Sequence, residues 1–137
     1  MRIMLDKGAA MPERAHEDDA GLDLRSRDDK IIPAGGSATF DTGVHMELPP
    51  CSFGKIESKS GLNVKHDVVS CGGVIDAGYT GSIVIKLYNL GITDYHVKAG
   101  DKIAQIVILP ILKPGMVQVD ALESTERGVN GFGSTGR

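Results

Sequence analysis

The sequence predicts an all-β protein, and three features lead to that class. Short runs rich in β-branched residues recur along the chain, separated by turns that contain glycine, proline, asparagine or aspartate. Residues 82–90 alternate most clearly, because Ile83, Ile85 and Leu87 fall on one face at a period of two. Only residues 60–66 have a helical pattern, of about one or two turns. Many short strands at this spacing favour a sandwich, a jelly roll or a barrel.

The predicted strands run through most of the chain and leave its last residues free. They are residues 2–5, 37–41, 44–48, 52–57, 67–70, 73–76, 82–90, 95–97, 102–109 and 117–122. Turn sequences separate many of them, at residues 33–36, 49–50, 91 and 98–101. Residues 124–137 are rich in glycine and too poor in apolar side chains to bury themselves. We therefore expect one domain over residues 1–123 and a flexible arm over residues 124–137.

The composition is that of a single globular domain. The chain has 137 residues, of which 41% are hydrophobic and 24% charged. Aromatic residues make up only 4% and tryptophan is absent, so we expect a core of valine, isoleucine, leucine and methionine. The net charge is −3 and no basic stripe is visible, so we expect no nucleic-acid partner. A small anionic ligand stays possible, because it needs only a few local cations and backbone N–H groups.

Cysteine usage and the apolar runs predict a cytoplasmic protein without a membrane partner. Cys51 and Cys71 are the only cysteines, whereas secreted domains of this size often carry several disulfides. A single bridge between these two is an open alternative at this point. Residues 1–6 lack the apolar stretch of a signal peptide, and the apolar run at residues 106–112 is too short to span a membrane.

Two familiar motifs fail on their context. Residues 131–136 match G-x-G-x-x-G, but a dinucleotide-binding fingerprint needs a strand before it and a helix after it. The four histidines have neither the H-E-x-x-H spacing nor a cysteine partner, so we expect no zinc site.

Five segments depart from plain strand-and-turn sequences, and the first two carry charge. In residues 20–24, Asp23 lies between two leucines, an arrangement that is also common at a strand end. In residues 59–62, Lys59 and Ser60 stand at the start of the predicted helix, where free N–H groups and the helix dipole favour an anion. Ser60 could equally be a simple helix N-cap.

The other three segments suggest water activation, a turn and a closing arm. Residues 73–81 place Asp76 before Tyr79 in a glycine-bounded hairpin, where a carboxylate could deprotonate a water and a tyrosine ring could pack on a sugar. A structural β-turn is the alternative. Residues 100–105 have the form of a turn followed by a strand. Residues 127–136 combine an arginine, a phenylalanine and hydroxyl and N–H donors that could close over a charged aromatic ligand.

In this order and at these spacings, the five segments resemble the five motifs of the trimeric deoxyuridine triphosphatase (dUTPase) family. The resemblance runs from about Ala20 to Gly136. It implies a jelly-roll-like distorted β-barrel, assembled as a homotrimer with its sites at subunit interfaces. One subunit would supply the hairpin around Asp76, a second would supply Asp23, Ser60 and Gln105, and a third would close its arm over the site.

The resemblance also implies an activity, which is hydrolysis of dUTP to dUMP and pyrophosphate. This reaction keeps uracil out of DNA and supplies dUMP for thymidylate synthesis. Asp76 would hold the water that attacks the α-phosphorus, and Tyr79 would lie beneath the deoxyribose and leave no room for a 2′-hydroxyl. Backbone groups of residues 70–74 would pair with the uracil edge, and Phe132 would stack over the base.

The implied cofactor is Mg²⁺, held mainly by the triphosphate and by water, with Asp23 hydrogen-bonding that water shell. The residues implied to bind the substrate are Lys59, Ser60, Gly61, Ser70, Gly73, Val74, Ile75, Asp76, Tyr79, Val84, Gln105, Arg127, Phe132, Gly133, Ser134 and Thr135.

Two positions depart from the family pattern, and two rival functions stay open. The second motif usually has arginine where this chain has Lys59, which keeps the charge but loses the bidentate fork. Many bacterial members have asparagine where Ser70 stands, although backbone pairing could suffice there.

One rival is a deoxycytidine triphosphate deaminase, which shares the fold but needs a different acid–base residue on the hairpin. The other is a binding or regulatory protein that keeps the fold without turnover.

Overall fold

Antiparallel β-strands form the fold, seen in a computed structural model that describes residues 1–129. The strands are β1 (Arg2–Leu5), β2 (Gly21–Arg25), β3 (Lys30–Ile32), β4 (Ser37–Asp41), β5 (Val44–Glu47), β6 (Ser52–Ser58), β7 (Val68–Ser70), β8 (Val74–Asp76), β9 (Val84–Asn89), β10 (Tyr95–Val97) and β11 (Lys102–Pro110). In this part of the chain one helix, α1 (Ser60–His66), connects β6 to β7. The predicted all-β class with one short helix is confirmed.

Within residues 1–129 the strands pair into four antiparallel sheets. The largest has the order β2-β11-β6-β8, and a second sheet has the order β4-β9-β7. Two smaller sheets pair β1 with β5 and β10 with β3. Over residues 1–129 the sheets do not join into one closed barrel, so the jelly-roll-like architecture consists of separate sheets around a shared core.

One hydrophobic cluster fills the space that these sheets enclose. Ile83, Ile85 and Leu87 are each 1% exposed, which confirms the face predicted from the alternation in this segment. Leu24 and Ile106 of the four-stranded sheet belong to the same cluster and are fully buried. Because burying one such side chain stabilises a fold by about 1.5–3 kcal/mol, the alternation is enough to decide which face of β9 turns inward.

Most predicted strands match an observed strand to within two residues at each end, but β2 and β3 were not predicted. The sequence of β2 contains a glycine and an aspartate, which are both uncommon in strands. Its first four residues are buried, so position in the sheet outweighs local preference there. β3 is only three residues long, too short for a period to be read.

The strand predicted at residues 117–122 is wrong. β11 ends at Pro110, and residues 111–129 contain no strand and no helix. The apolar side chains of this segment are turned to solvent, with Met116 97% and Leu122 88% exposed. An apolar extended segment becomes a strand only when another strand takes up its backbone hydrogen bonds, and no strand of residues 1–129 does so here.

Two expectations about the chain's surroundings meet the structure directly. Cys51 and Cys71 are both free and exposed, so the alternative of a bridge between them does not hold. Among the helices of the described chain, none has the length and apolar character needed to cross a bilayer.

Candidate functional site

Basic side chains surround the start of α1. Lys59 is the N-cap residue, so Ser60 is the first helical residue rather than the cap. The Lys59 side chain makes no capping hydrogen bond. The cavity beside it has a volume of ≈ 300 Å³ and is lined by Lys59, Gly61, Leu62, Lys65, His66 and Lys102. The ammonium groups of Lys59, Lys65 and Lys102 therefore surround one open cavity, and we call these three lysines the basic cluster. Such a group of cations favours an anionic ligand.

The carboxylate of Asp23 lies between two of these lysines. Its Oδ1 accepts a hydrogen bond from Lys59 Nζ at 2.5 Å, and its Oδ2 lies 2.6 Å from Lys102 Nζ. Asp23 is only 3% exposed, and this burial by itself would raise its pKa. The hydrogen bonds and charges of Lys102 and Lys59 outweigh burial and hold the pKa of Asp23 below its ordinary value of 3.8. Two cations on one carboxylate leave a net positive charge at the cavity.

Gln105 joins this basic cluster through the register of the central sheet. β11 places Gln105 opposite Asp23 on β2 and opposite Glu57 on β6. Its Nε2 donates to the backbone carbonyl of Ser58 at 3.1 Å. The register shifts between Lys102 and Ala104, and such an irregularity re-aims the side chains beside it. The structure therefore brings together Asp23, Lys59 and Gln105, which the sequence places far apart.

A second group of predicted residues lies on the hairpin that follows β8. Asp76 ends this strand with its side chain exposed, and the N–H of Tyr79 donates to the carbonyl of Asp76 at 3.0 Å. Tyr79 Oη donates to the carbonyl of Ser82 at 3.0 Å, which folds the ring back along the turn. A Cβ on Gly81 would lie 2.4 Å from Tyr79 Oη, so only glycine leaves room for this ring position.

The end of β7, the start of β8 and the connection between them show which groups are accessible to a ligand. The Ser70 hydroxyl lies 3.1 Å from the Ser58 hydroxyl, and the Ser70 N–H donates to Ser58 Oγ at 2.8 Å. The carbonyl of Gly73 accepts a hydrogen bond from Ile56. Val74 is 65% exposed, and Ile75 packs against the core instead. Ser70 of the three-stranded sheet is thus tied to Ser58 of the four-stranded sheet, while the hairpin edge beyond it is open.

Val84, which follows the Asp76–Tyr79 turn in the chain, is another predicted substrate-binding residue. It begins β9, pairs with Asp41 and is 51% exposed. Its side chain therefore adds apolar surface outside the core.

The length of β6 separates the two groups of residues. Asp76 pairs with Phe53 near the start of β6, whereas Lys59 follows Ser58 at its end. Since a strand rises about 3.3 Å per residue, the five steps from Phe53 to Ser58 span roughly 17 Å. A catalytic carboxylate must lie within hydrogen-bond reach of the reacting atoms. Within one chain, the basic cluster and Asp76 therefore do not converge on one point.

Comparison with known proteins assigns this all-β chain to a family. A sequence profile of the dUTPases matches residues 7–136. The chain belongs to the dUTPase family.

Relatives at the sequence level span bacteria and fungi. The deoxyuridine 5′-triphosphate nucleotidohydrolase of Clostridium acetobutylicum is 48% identical over 134 residues, which cover 96% of this chain and 92% of the relative. The probable deoxyuridine 5′-triphosphate nucleotidohydrolase of Schizosaccharomyces pombe is 38% identical, with 96% of this chain and 94% of the relative covered.

Solved dUTPase structures share the fold. A mutant dUTPase of Staphylococcus bacteriophage 80alpha with dUpNHpp is 34% identical, has a TM-score of 0.89 and covers 99% of this chain and 98% of its own. A mutant dUTPase from phage phi11 of S. aureus, with a structural Mg(II) ion, is 31% identical with a TM-score of 0.84, covering 90% and 98%. The predicted jelly-roll-like, dUTPase-like fold is confirmed.

The described part of this dUTPase-family chain also contains a site residue that sequence reasoning missed. Lys102 contacts Asp23 and lines the basic cavity, but only Gln105 was chosen from residues 100–105. The available signal was a cation in a segment that also carried a predicted binding residue. Of the predicted arm residues, Arg127 is described, and it lies inside the turn in which the Gly128 N–H donates to the Thr125 carbonyl. The predicted contacts of Phe132, Gly133, Ser134 and Thr135 lie outside the described residues.

Proposed function

We propose that this chain hydrolyses dUTP to dUMP and pyrophosphate, with Asp76 as the residue that activates water. The observation that carries the proposal is the turn in which Asp76 and Tyr79 stand three residues apart, joined by a backbone hydrogen bond of 3.0 Å. The carboxylate is exposed, and the neighbouring ring is tied down by its hydroxyl. A base and a fixed flat surface side by side suit a sugar–phosphate ligand.

Asp76 would accept a proton from the water as it attacks the α-phosphorus in line. A general base needs to lie about 2.6–3.2 Å from the atom whose proton it takes, and an exposed side chain at the end of a strand can meet that requirement. Pyrophosphate would leave on the opposite side of the phosphorus. The enzyme's contribution is then positioning and charge stabilisation rather than covalent chemistry.

The hairpin would select the nucleoside. The ring of Tyr79, held between Ser82 and Gly81, would face the deoxyribose and exclude a 2′-hydroxyl. The Ser70 hydroxyl already contacts the Ser58 hydroxyl on β6, which favours recognition of uracil by the backbone of residues 70–74. A site that pairs with one donor–acceptor pattern rejects cytosine because its own buried groups would lose their partners.

The basic cluster would bind the phosphates. Ser60, Gly61 and Gln105 lie beside the two lysines that Asp23 holds in place. A triphosphate carries far more negative charge than one carboxylate, so it would draw both ammonium groups toward itself. Charge-assisted hydrogen bonds of this kind are about twice as strong as neutral ones. Lysine at position 59 would then act as a point charge, with Lys102 as a second one.

We propose that Mg²⁺ reaches the site with the nucleotide. No group of three or more metal-binding side chains is present among residues 1–129, which suits an ion held by phosphates and water rather than by a protein cage. When bound, the ion would neutralise charge on the phosphate oxygens. Asp23 stays the predicted contact of its water shell, although a metal-bound water would compete with Lys59 and Lys102 for the same carboxylate.

We propose a homotrimer with sites between subunits. The separation of roughly 17 Å along β6 means that Asp76 of one copy and the basic cluster of another would build each site. The exposed apolar side chains of residues 111–122 support assembly, because burying them against another copy removes apolar surface from water. The arm over residues 124–137, with Arg127 and Phe132, would close the site from a third copy, as predicted.

A cytoplasmic location remains our expectation for this dUTPase. The free, exposed thiols of Cys51 and Cys71 suit a reducing compartment. Cell fractionation with an antibody to the chain would test it, and recovery only outside the cytoplasm would contradict it.

The decisive experiment is pyrophosphate release with dUTP, UTP, dCTP and dTTP side by side, with and without Mg²⁺. We expect release from dUTP alone among the four, dependent on the metal. Ammonia from dCTP would favour the deaminase instead. Tight binding of dUTP without any release would favour a binding protein and overturn the proposal.

A further inference from the structure

Four side chains, those of His45, Asp6, Arg27 and Asp41, form a chain of ion pairs near the Asp76–Tyr79 turn. We call these four residues the charge relay. His45 Nε2 lies 3.2 Å from Asp6 Oδ1, and Arg27 Nη1 lies 3.4 Å from Asp6 Oδ2. Arg27 Nη2 pairs with Asp41 Oδ2 at 2.9 Å. Asp41 and His45 flank the short connection between β4 and β5, whereas Asp6 and Arg27 come from two other segments, so the charge relay ties three parts of the chain together.

Both ends of the charge relay hold the segment that follows Tyr79. At one end, His45 Nδ1 lies 2.8 Å from the carbonyl of Thr80. At the other end, the Ser82 hydroxyl donates to Asp41, and the Ser82 carbonyl accepts the hydrogen bond from Tyr79 Oη. The segment is therefore clamped on both sides of Gly81, directly beside the tyrosine proposed to face the sugar.

Both ring nitrogens of His45 face hydrogen-bond acceptors. A backbone carbonyl can only accept a hydrogen bond, so Nδ1 must carry a proton. The carboxylate of Asp6 also pairs with Arg27 and is therefore an acceptor too, so Nε2 must carry a proton as well. A neutral imidazole has one N–H, whereas the imidazolium has two. The imidazolium form of His45, whose side chain is 17% exposed, therefore satisfies both contacts, whereas either neutral tautomer satisfies only one.

The other charged groups around His45 have partners of their own. Arg2 and Glu47 line the same cavity of ≈ 360 Å³ and are paired with each other, with Arg2 Nη2 and Glu47 Oε1 2.6 Å apart. The Ser82 hydroxyl and the Gly43 N–H lower the pKa of Asp41, against a smaller effect of burial, and Arg27 and His45 lower it further. With His45 charged, the charge relay has two positive and two negative members and is neutral.

We propose that His45 is a positioning residue for catalysis: as an imidazolium it ties the Thr80 carbonyl to Asp6 and so fixes the turn that carries Asp76 and Tyr79. Loss of its proton leaves a nitrogen lone pair facing the Asp6 carboxylate, so one of the two contacts is given up and the turn loosens. Histidine is the side chain that ordinarily changes charge between pH 5 and 8, so this clamp depends on pH. The inference rests on the proposed function, because it assigns a role to a turn that contacts the nucleotide.

The first test compares wild type with His45→Gln in kcat/KM for dUTP and for UTP, from about pH 5.5 to about 8.5. Glutamine keeps one donor nitrogen but cannot bridge both acceptors. We expect the ratio of kcat/KM for dUTP over UTP to fall about tenfold in the variant at the acid end, since a looser Tyr79 admits the 2′-hydroxyl. The difference should shrink as pH rises and the wild type loses its own clamp. The substrates titrate equally in both proteins, so their ionisation cancels in the comparison.

His96→Gln is the matched control, because His96 is exposed on β10 and belongs to a different sheet. It should leave the discrimination ratio and the pH profile unchanged. If His45→Gln superimposes on wild type in both, or if His96→Gln changes them equally, the proposal is overturned.

A second measurement on the wild-type protein covers the case in which the variant does not fold. Nitrogen-15 NMR should show protons on both ring nitrogens of His45 at low pH, and the Gly81 amide should shift as His45 loses one of them. A singly protonated ring throughout, or a Gly81 amide that does not respond, would overturn the proposal. If the wild type fails to hydrolyse dUTP, the proposed function fails alone, and these spectra still decide whether His45 controls the turn.

Discussion

The side chain of Gln105 lies across Gly21 so closely that a Cβ on this glycine would be 2.2 Å from Gln105 Oε1. Non-bonded heavy atoms cannot lie this close, so any larger residue at position 21 would displace the Gln105 side chain. The absence of a side chain on Gly21 therefore lets Gln105 reach the Ser58 carbonyl. The relationship makes a glycine with no functional group of its own part of the proposed phosphate end of the site.

Gly21→Ala should therefore lower kcat/KM for dUTP by displacing Gln105. A shift of about 1 Å in a substrate-positioning group can cost on the order of 100-fold, and we expect a loss of about tenfold to 100-fold. Steady-state kinetics of Gly21→Ala, Gln105→Ala and the double variant form the test. If the glycine acts through Gln105, the double variant is no worse than Gln105→Ala; additive losses would contradict this.

Lys102→Met should weaken phosphate binding. Hydrogen bonds to charged groups contribute about 1.5–3 kcal/mol, so we expect KM to rise by about tenfold to 100-fold, with a weaker dependence on salt. Lys98→Met removes a lysine of the same length from the turn before β11 and serves as the control. Equal KM values for Lys102→Met and Lys98→Met would remove Lys102 from the site.

The pairing of Asp23 should make stability depend on pH in a defined direction. Its pKa is lower in the folded chain than in the unfolded chain, so its contribution is complete above the ordinary value of 3.8. This contribution is lost as pH falls below 3.8 and through the folded pKa. We expect Asp23→Asn to cost about 1–3 kcal/mol near neutral pH and progressively less in acid.

Urea unfolding of wild type and Asp23→Asn, at one protein concentration and at several pH values, measures this difference. A fixed concentration matters because the stability of an assembly depends on it. A difference that grows as the pH falls would contradict the assigned ion pairs.

Mixed assemblies should reveal sites shared between subunits. Asp76→Asn should lose turnover but keep binding of a non-hydrolysable dUTP analogue within a few-fold, and a Lys59→Met, Gln105→Ala double variant should be inactive through its phosphate end. When the two inactive chains are co-refolded in equal amounts, half of the hairpins and half of the basic clusters are intact. We expect about a quarter of the wild-type rate if each site combines two copies. Activity no greater than that of the parents would place the whole site in one chain.

Truncation after Thr125 should lower the turnover rate by orders of magnitude without loss of the fold. Among residues 1–129 the last strand ends at Pro110 and the buried cluster contains no residue beyond β11, so we expect the core to form without the arm. The proposed role of the arm is to close the site and exclude water. Kinetics, thermal melting and light scattering on the truncated chain test this, and unchanged kinetics would end the lid role.

The sequence by itself determined the strand-rich class and most element positions, because period-two alternation and turn residues act locally. Ile83, Ile85 and Leu87 were placed on the inner face by alternation alone. Motif spacing was enough to indicate the family and to single out Asp76 and Tyr79. These are properties of a few neighbouring residues, and neighbouring residues are visible in a linear chain.

Tertiary structure alone decided what depends on register and on pairing across the fold. β2 is a strand because β11 pairs with it, despite its glycine and aspartate, and residues 117–122 are not a strand because no partner within residues 1–129 accepts them. The two lysines on Asp23, the fit of Gln105 over Gly21 and the contact of His45 with Thr80 join residues distant in sequence. Such contacts follow from how strands are aligned, which local preference does not encode.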